Sequence, residues 1–157
     1  EHKARTDSLT GVSNRRHFDE TLAAEWSRAR RNGQQLTLAM LDVDHFKQLN
    51  DRHGHPAGDV VLKSVADLLR ERFRGTDAVA RYGGEEFMVL MPATNVQQAQ
   101  EVLERVRQAL HTFPDSPGGR NFFQETGYQG YVDVTPADVL ALKPLVALTV
   151  EMMRQGR

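Results

Sequence analysis

The sequence contains no cysteine. Disulfides and thiolate metal sites are thereby excluded, and a reducing, cytoplasmic setting fits such a composition. A surplus of one charge sign is also missing: 20 Lys and Arg stand against 21 Asp and Glu, for a formal net charge of −1. Without a global basic field, nucleic acid and anionic lipid are not expected partners, and a phosphate-bearing ligand must be small and held by local chemistry. No apolar run approaches the roughly 18 residues that span a bilayer. The opening stretch "EHKARTDSLTG" is polar, lacks the apolar core of a signal peptide and has no initiator Met. The chain is therefore expected to be a fragment, with membrane attachment through regions outside it left open. Internal repeats and low-complexity tracts are lacking as well. What remains is ordinary: 157 residues, 39% hydrophobic and 26% charged, suited to one domain over 1–157 with a sizeable core.

Helical and strand periods alternate along the chain. Phe18, Leu22, Trp26 and Ala29 recur at helical spacing, predicting a helix from about Arg15 to Arg31 that Asn32-Gly33 stops. "LTLAMLD" is a short, nearly continuous apolar run and predicts a buried strand over Leu36 to Asp42. "AGDVVLKSVADLLRERF" places Val61, Val65, Leu68 and Leu69 on one helical face. "DAVARY", Gly83-Gly84 and "EEFMVLM" read as a hairpin. "VQQAQEVLERVRQAL" is a third amphipathic helix. A β-α-β-β-α core of this order implies an α+β sandwich of the ferredoxin-like kind, with an antiparallel-containing sheet and helices on one face. Further on, "GYVDVT" reads as a strand, and "PADVLALKPLVALTVEMMRQ" as a helix that Pro144 kinks or breaks.

The hairpin turn joins two glycines to two carboxylates. Asp42, at the end of a buried strand, lies on the rim of the sheet, and a neighbouring hairpin brings it close to Glu85 and Glu86. Converging carboxylates repel and need a cation. Oxygen ligands without His or Cys suit Mg²⁺, which shares its positions with water and substrate phosphates. Bare Gly83-Gly84 backbone permits close approach of a phosphate or nucleotide, and Lys47 supplies a point charge. Plainer readings stand beside these: Gly-Gly as a turn that needs positive φ, and Glu-Glu as a solvated edge pair. "DVDHFK" is not an EF-hand, because Phe46 and Lys47 stand where a ligand and the turn glycine belong, and His53 where the bidentate Glu belongs. His53 and His55 lack a third His or Cys nearby and read as loop residues rather than a metal pair.

Three segments together resemble the GGDEF domain of diguanylate cyclases, which join two GTP molecules into cyclic di-GMP. "DSLTGVSNRR" is similar to the family's D-x-L-T-G-L-x-N-R, and "DVDHFKQLNDRHGHPAGD" to its D-x-D-x-F-K-x-x-N-D-x-x-G-H-x-x-G-D. "RYGGEEF" is the signature in its Glu-Glu form. The resemblance covers about Asp7 to Leu110 and implies a βαββαβ palm like those of adenylyl cyclases and polymerases. It implies that Asp42, the carbonyl of Val43 and Glu85 bind Mg²⁺, with Mn²⁺ as an alternative. Asn50 and Asp59 would bond the guanine edge with His55 nearby, Lys47 would touch phosphate, and Gly83 and Gly84 would lie along the nucleotide. Glu85 would accept the ribose 3′-OH proton, with Glu86 supporting the charge cluster. Two GTP-bearing domains must face each other, so activity implies a homodimer, with an upstream sensory or dimerisation domain.

"RGTD", Arg74 to Asp77, lies where the family often carries an R-x-x-D inhibitory site for cyclic di-GMP. On its own it reads as a turn. Residues 122–157 are atypical: the family's V-T-x-S-I-G-V-A strand is replaced by "GYVDVT", and in "MMRQGR" Met153 stands where a phosphate-binding Lys belongs, with Arg154 one position off. The intact signature points to an active diguanylate cyclase. The altered tail points to the alternative, a non-catalytic GTP- or cyclic-di-GMP-binding regulatory module.

Overall fold

The computed structural model describes residues 4–43 and 46–111. The "GYVDVT" strand, the helix after it and the positions of Met153 and Arg154 lie outside the described residues. Seven elements follow in order: α1 (Arg15–Asn32), β1 (Leu36–Asp42), α2 (Phe46–His53), α3 (His55–Arg72), β2 (Ala78–Arg81), β3 (Glu86–Pro92) and α4 (Val96–His111).

Local chemistry sets the boundaries. The Asn14 side chain accepts from the His17 N–H and caps α1, satisfying one of the orphan donors of the first turn. Gly33, left-handed at φ 63°, ends α1. β1 starts and stops where its apolar run does, at Leu36 and Asp42.

β3 is the central strand of an antiparallel sheet of order β1-β3-β2. Alternate residues of the strands serve two different cores. Ala39, Leu41, Phe87, Val89 and Met91 face α3 and α4, packing with Val61, Val65, Leu69 and Leu103. Leu36, Leu38, Met88, Leu90 and Ala80 face the other way, onto Phe18 and Ala29 of α1. Both faces being covered explains why β1 and β3 read as continuous apolar runs rather than alternating ones. Each fully buried large side chain contributes about 1.5–3 kcal/mol. Helices on one face describe the β-α-β-β-α core. The leading helix α1 takes the opposite face.

One helix is additional to the expected order. α2 occupies "FKQLNDRH", a stretch to which the sequence assigns no element, and His53 and His55, expected in a loop, instead end α2 and open α3. α2 buries only Leu49, with Phe46 half-buried against the same core, and two apolar positions in eight residues are too few to establish a helical period. Gly54 at φ 87°, with Pro56 after His55, separates it from α3. Among the described residues no helix is long and apolar enough to cross a membrane.

Candidate active site

The strand register builds the carboxylate cluster. β1 pairs with β3 so that Asp42 lies opposite Glu86. One residue beyond the strand, the Val43 N–H donates to the Glu85 carbonyl at 3.1 Å. Asp42, Val43, Glu85 and Glu86 therefore share one corner of the sheet, as their positions at strand ends required. Burial first, then the charges of Asp42 and Glu86, raise the Glu85 carboxyl above its ordinary value. A cation placed here would relieve that repulsion. The donors are oxygens only, which suits a hard divalent ion. Among the described residues no three His, Cys, Asp or Glu groups enclose a metal by themselves.

Gly83 and Gly84 form the turn beside these acids, closed by Tyr82 and Gly83 N–H groups donating to the Glu86 carbonyl at 2.8 and 3.3 Å. Neither glycine adopts the left-handed conformation. The reading of this pair as a turn that needs positive φ is thus set aside. Packing does not demand glycine either: a β-carbon at position 84 would meet nothing within 4 Å, and one at 83 only ordinary contacts with Glu86 from 3.4 Å. Bare backbone here serves no need of the described fold.

A guanidinium that motif spacing did not single out holds the turn in place. Arg81 donates to the Gly84 carbonyl through Nε and Nη2 at 3.1 and 2.8 Å, and its Nη1 lies 3.4 Å from both Asp7 carboxylate oxygens. Asp7 also accepts from the Thr10 N–H at 2.9 Å and its hydroxyl at 2.8 Å. Burial raises the Asp7 carboxyl, but the Thr10 hydrogen bonds and the Arg81 charge outweigh it and hold the group below its ordinary value. Ser13 meanwhile bridges to Ala80, its N–H donating to Val79 and its carbonyl accepting from Arg81. The "DSLTGVSN" segment is thus an extra edge laid along β2 and clamped to the signature turn.

The remaining predicted binding residues sit on the helix pair that follows β1. Lys47 and Asn50 are on α2, and His55 and Asp59 open α3. Lys47, His55 and Asp59 are exposed. Asn50 Oδ1 is buried with no hydrogen-bond partner among the described residues.

Arg74 and Asp77 occupy a different place, at the far end of β2 from the glycine turn. They bond each other: Asp77 accepts from the Arg74 N–H at 2.9 Å and from its Nε and Nη2 at 3.3 and 3.2 Å. Arg74 Nη2 also donates to the Pro92 carbonyl at 3.2 Å and Thr94 Oγ1 at 2.8 Å. The Asp77 side chain is only 3% exposed, whereas that of Arg74 is 60% exposed. A cavity of about 330 Å³ opens beside them, with Arg72, Thr94, Gln98 and Arg105 in its wall. Arg105, in the wall of that cavity and in no recognisable motif, was not legible in the sequence.

Comparison with known proteins identifies a family. The profile of the family described as "Diguanylate cyclase, GGDEF domain" matches residues 4–148. Diguanylate cyclase DgcP of Pseudomonas aeruginosa is 52% identical over 112 residues, covering 71% of this chain and 17% of DgcP. The chain thus spans about a sixth of that relative's length. The crystal structure of the GGDEF domain of DgcB from Caulobacter crescentus, in complex with c-di-GMP, superposes with a TM-score of 0.77 at 29% identity, covering 100% of this chain and 94% of that one. The active GGEEF domain of a diguanylate cyclase from Vibrio cholerae superposes with a TM-score of 0.65 at 32% identity, over 76% of this chain and 70% of that one. The chain belongs to the GGDEF family of diguanylate cyclase domains.

Proposed function

We propose that this chain condenses two GTP molecules into cyclic di-GMP and releases pyrophosphate. The observation that carries the reading is the corner where Asp42, Val43 and Glu85 meet, with backbone beside it left bare for no purpose of the described fold. The 3′-oxygen of one GTP bonds to the α-phosphorus of the other, the bond from that phosphorus to the β-phosphate bridge breaks, and pyrophosphate leaves. The same exchange in the other direction closes the ring. Glu85, whose proton affinity burial and neighbouring carboxylates raise, accepts the 3′-OH proton on a carboxylate oxygen, and Glu86 supports the charge cluster.

Asp42, the Val43 carbonyl and Glu85 would hold Mg²⁺, or Mn²⁺ in its place. When bound, the ion lowers the pKa of the attacking hydroxyl and offsets charge on the transferring phosphoryl group. Asn50 and Asp59 bond the guanine edge with His55 beside them, Lys47 meets phosphate, and the Gly83-Gly84 backbone lies along the nucleotide. Two chains face each other as a homodimer, since each holds one GTP. An upstream sensory or dimerisation domain would set their orientation. Cyclic di-GMP binds Arg74 and Asp77 and inhibits. For Asp77 to accept from a guanine edge, its bonds to Arg74 must give way.

The tail favours a second reading, since "MMRQGR" puts Met153 where the family has a phosphate-binding Lys. A chain of that kind binds GTP or cyclic di-GMP and converts neither. The metal assignment is tested by Asp42→Ala. Incubated with GTP and Mg²⁺, it should form no cyclic di-GMP while unfolding cooperatively like the wild type. Near-normal product from this variant would overturn the assignment.

A further inference from the structure

We propose that Gly58 is a positioning residue for nucleotide selection, acting through the volume it leaves open for the Asn50 amide. The inference rests on the reading of Asn50 as a contact to the base. Gly58 lies buried in the first turn of α3 and is not in the left-handed region, so its backbone does not call for glycine. Alanine is the better helix former at such a site. What excludes alanine is a neighbour. A β-carbon at position 58 would overlap Asn50 Oδ1, lie 2.9 Å from Asn50 Cγ and 3.0 Å from Phe46 Cζ. The amide would have to leave its present place.

That place has a cost of its own. Asn50 Oδ1 is buried and accepts from nothing among the described residues. A buried acceptor without a partner is unfavourable, so the position is explained if a donor arrives with a ligand. A carboxamide oxygen accepts only. It therefore favours a base edge rich in N–H donors, such as the 1-NH and 2-amino edge of guanine. Gly58 thus lets α3 approach α2 closely enough to exclude water while the amide keeps its aim.

Four proteins test this: wild type, Gly58→Ala, Asn50→Ala and the double variant. Melting temperature is measured for each, with affinities for GTP and inosine triphosphate, which lacks the 2-amino group, by calorimetry. Gly58→Ala should lower Tm and weaken GTP at least tenfold, erasing the preference for GTP over inosine triphosphate. A merely structural role would weaken both nucleotides alike. In the Asn50→Ala background the same substitution should leave Tm equal or higher and GTP affinity within twofold. If Gly58→Ala does not fold, the double variant should. Additive losses of Tm, or a double variant that also fails to fold, would overturn the positioning role whatever the nucleotide data show. Coupled Tm changes in a wild type that binds both nucleotides equally would leave the contact standing and overturn the base reading beneath it.

Discussion

A β-carbon at position 84 would meet no atom of the described residues beyond its chain neighbours within 4 Å, and a fold-neutral change of this kind usually stays within about 0.5 kcal/mol. Gly84→Ala is therefore expected to melt with the wild type yet lose at least tenfold in cyclic di-GMP formation. A matching loss of Tm and activity would make the glycine structural after all. Glu85 gives the complementary case. Its carboxyl is raised above 4.5 by burial and by Asp42 and Glu86, so ionisation is harder in the folded chain than in the unfolded one. The cost is absent below pH 4.5, grows as pH rises through the folded value and then stays constant. Glu85→Gln removes it. Without divalent metal, the variant should be more stable than wild type by about 0.5 kcal/mol at pH 7, equal to it near pH 4, and inactive. A wild type that melts higher at pH 7 would contradict the repulsion. These acids were legible from sequence because each ends or begins an apolar run. The need for bare glycine was legible only in part, since a turn with positive φ fits the same two letters.

Strand limits were read correctly for β1 because its run of apolar residues begins at Leu36 and ends at a carboxylate. α2 is not legible because its apolar face is only Phe46 and Leu49, too short a pattern in eight residues to tell a helix from a loop. The clamp between Asp7 and Arg81 was missed for a different reason. Its partners are 74 positions apart, and only the folding of the N-terminal segment along β2 brings them together. Its strength follows from geometry and charge. Asp7→Asn should cost about 1–2 kcal/mol, measured by denaturant unfolding at pH 7, and reduce turnover more than GTP affinity, because the Gly84 carbonyl loses its anchored donor. Asp7 is held below 3.8 in the folded chain. Its contribution is complete above that value and lost as pH falls through the lowered one. The gap between wild type and Asp7→Asn should therefore close in acid below about pH 3.8. A gap that persists there would mean packing rather than charge.

The glycine turn and the "RGTD" turn flank β2, so the proposed catalytic and inhibitory surfaces stand roughly 16 Å apart along one strand. On the proposed reading, that separation would let one product molecule join two chains while their GTP corners are held away from each other, a binding equilibrium coupled to orientation. Arg74→Ala removes charge-assisted hydrogen bonds worth about 1.5–3 kcal/mol each. It should weaken cyclic di-GMP at least tenfold in calorimetry, keep GTP binding, and let product accumulate late in the reaction. Equal product affinity in the two proteins would reduce "RGTD" to the turn that its Arg74–Asp77 bonds already make. Beyond these points the decisive quantity is product itself. The purified chain is incubated with GTP and Mg²⁺, and cyclic di-GMP is measured by chromatography at several protein concentrations. Cyclic di-GMP should accumulate with pyrophosphate, at a rate per chain that rises with protein concentration because two chains must meet. GTP returned unchanged at every concentration, from a folded chain that binds it, would contradict the account and leave the regulatory reading in its place.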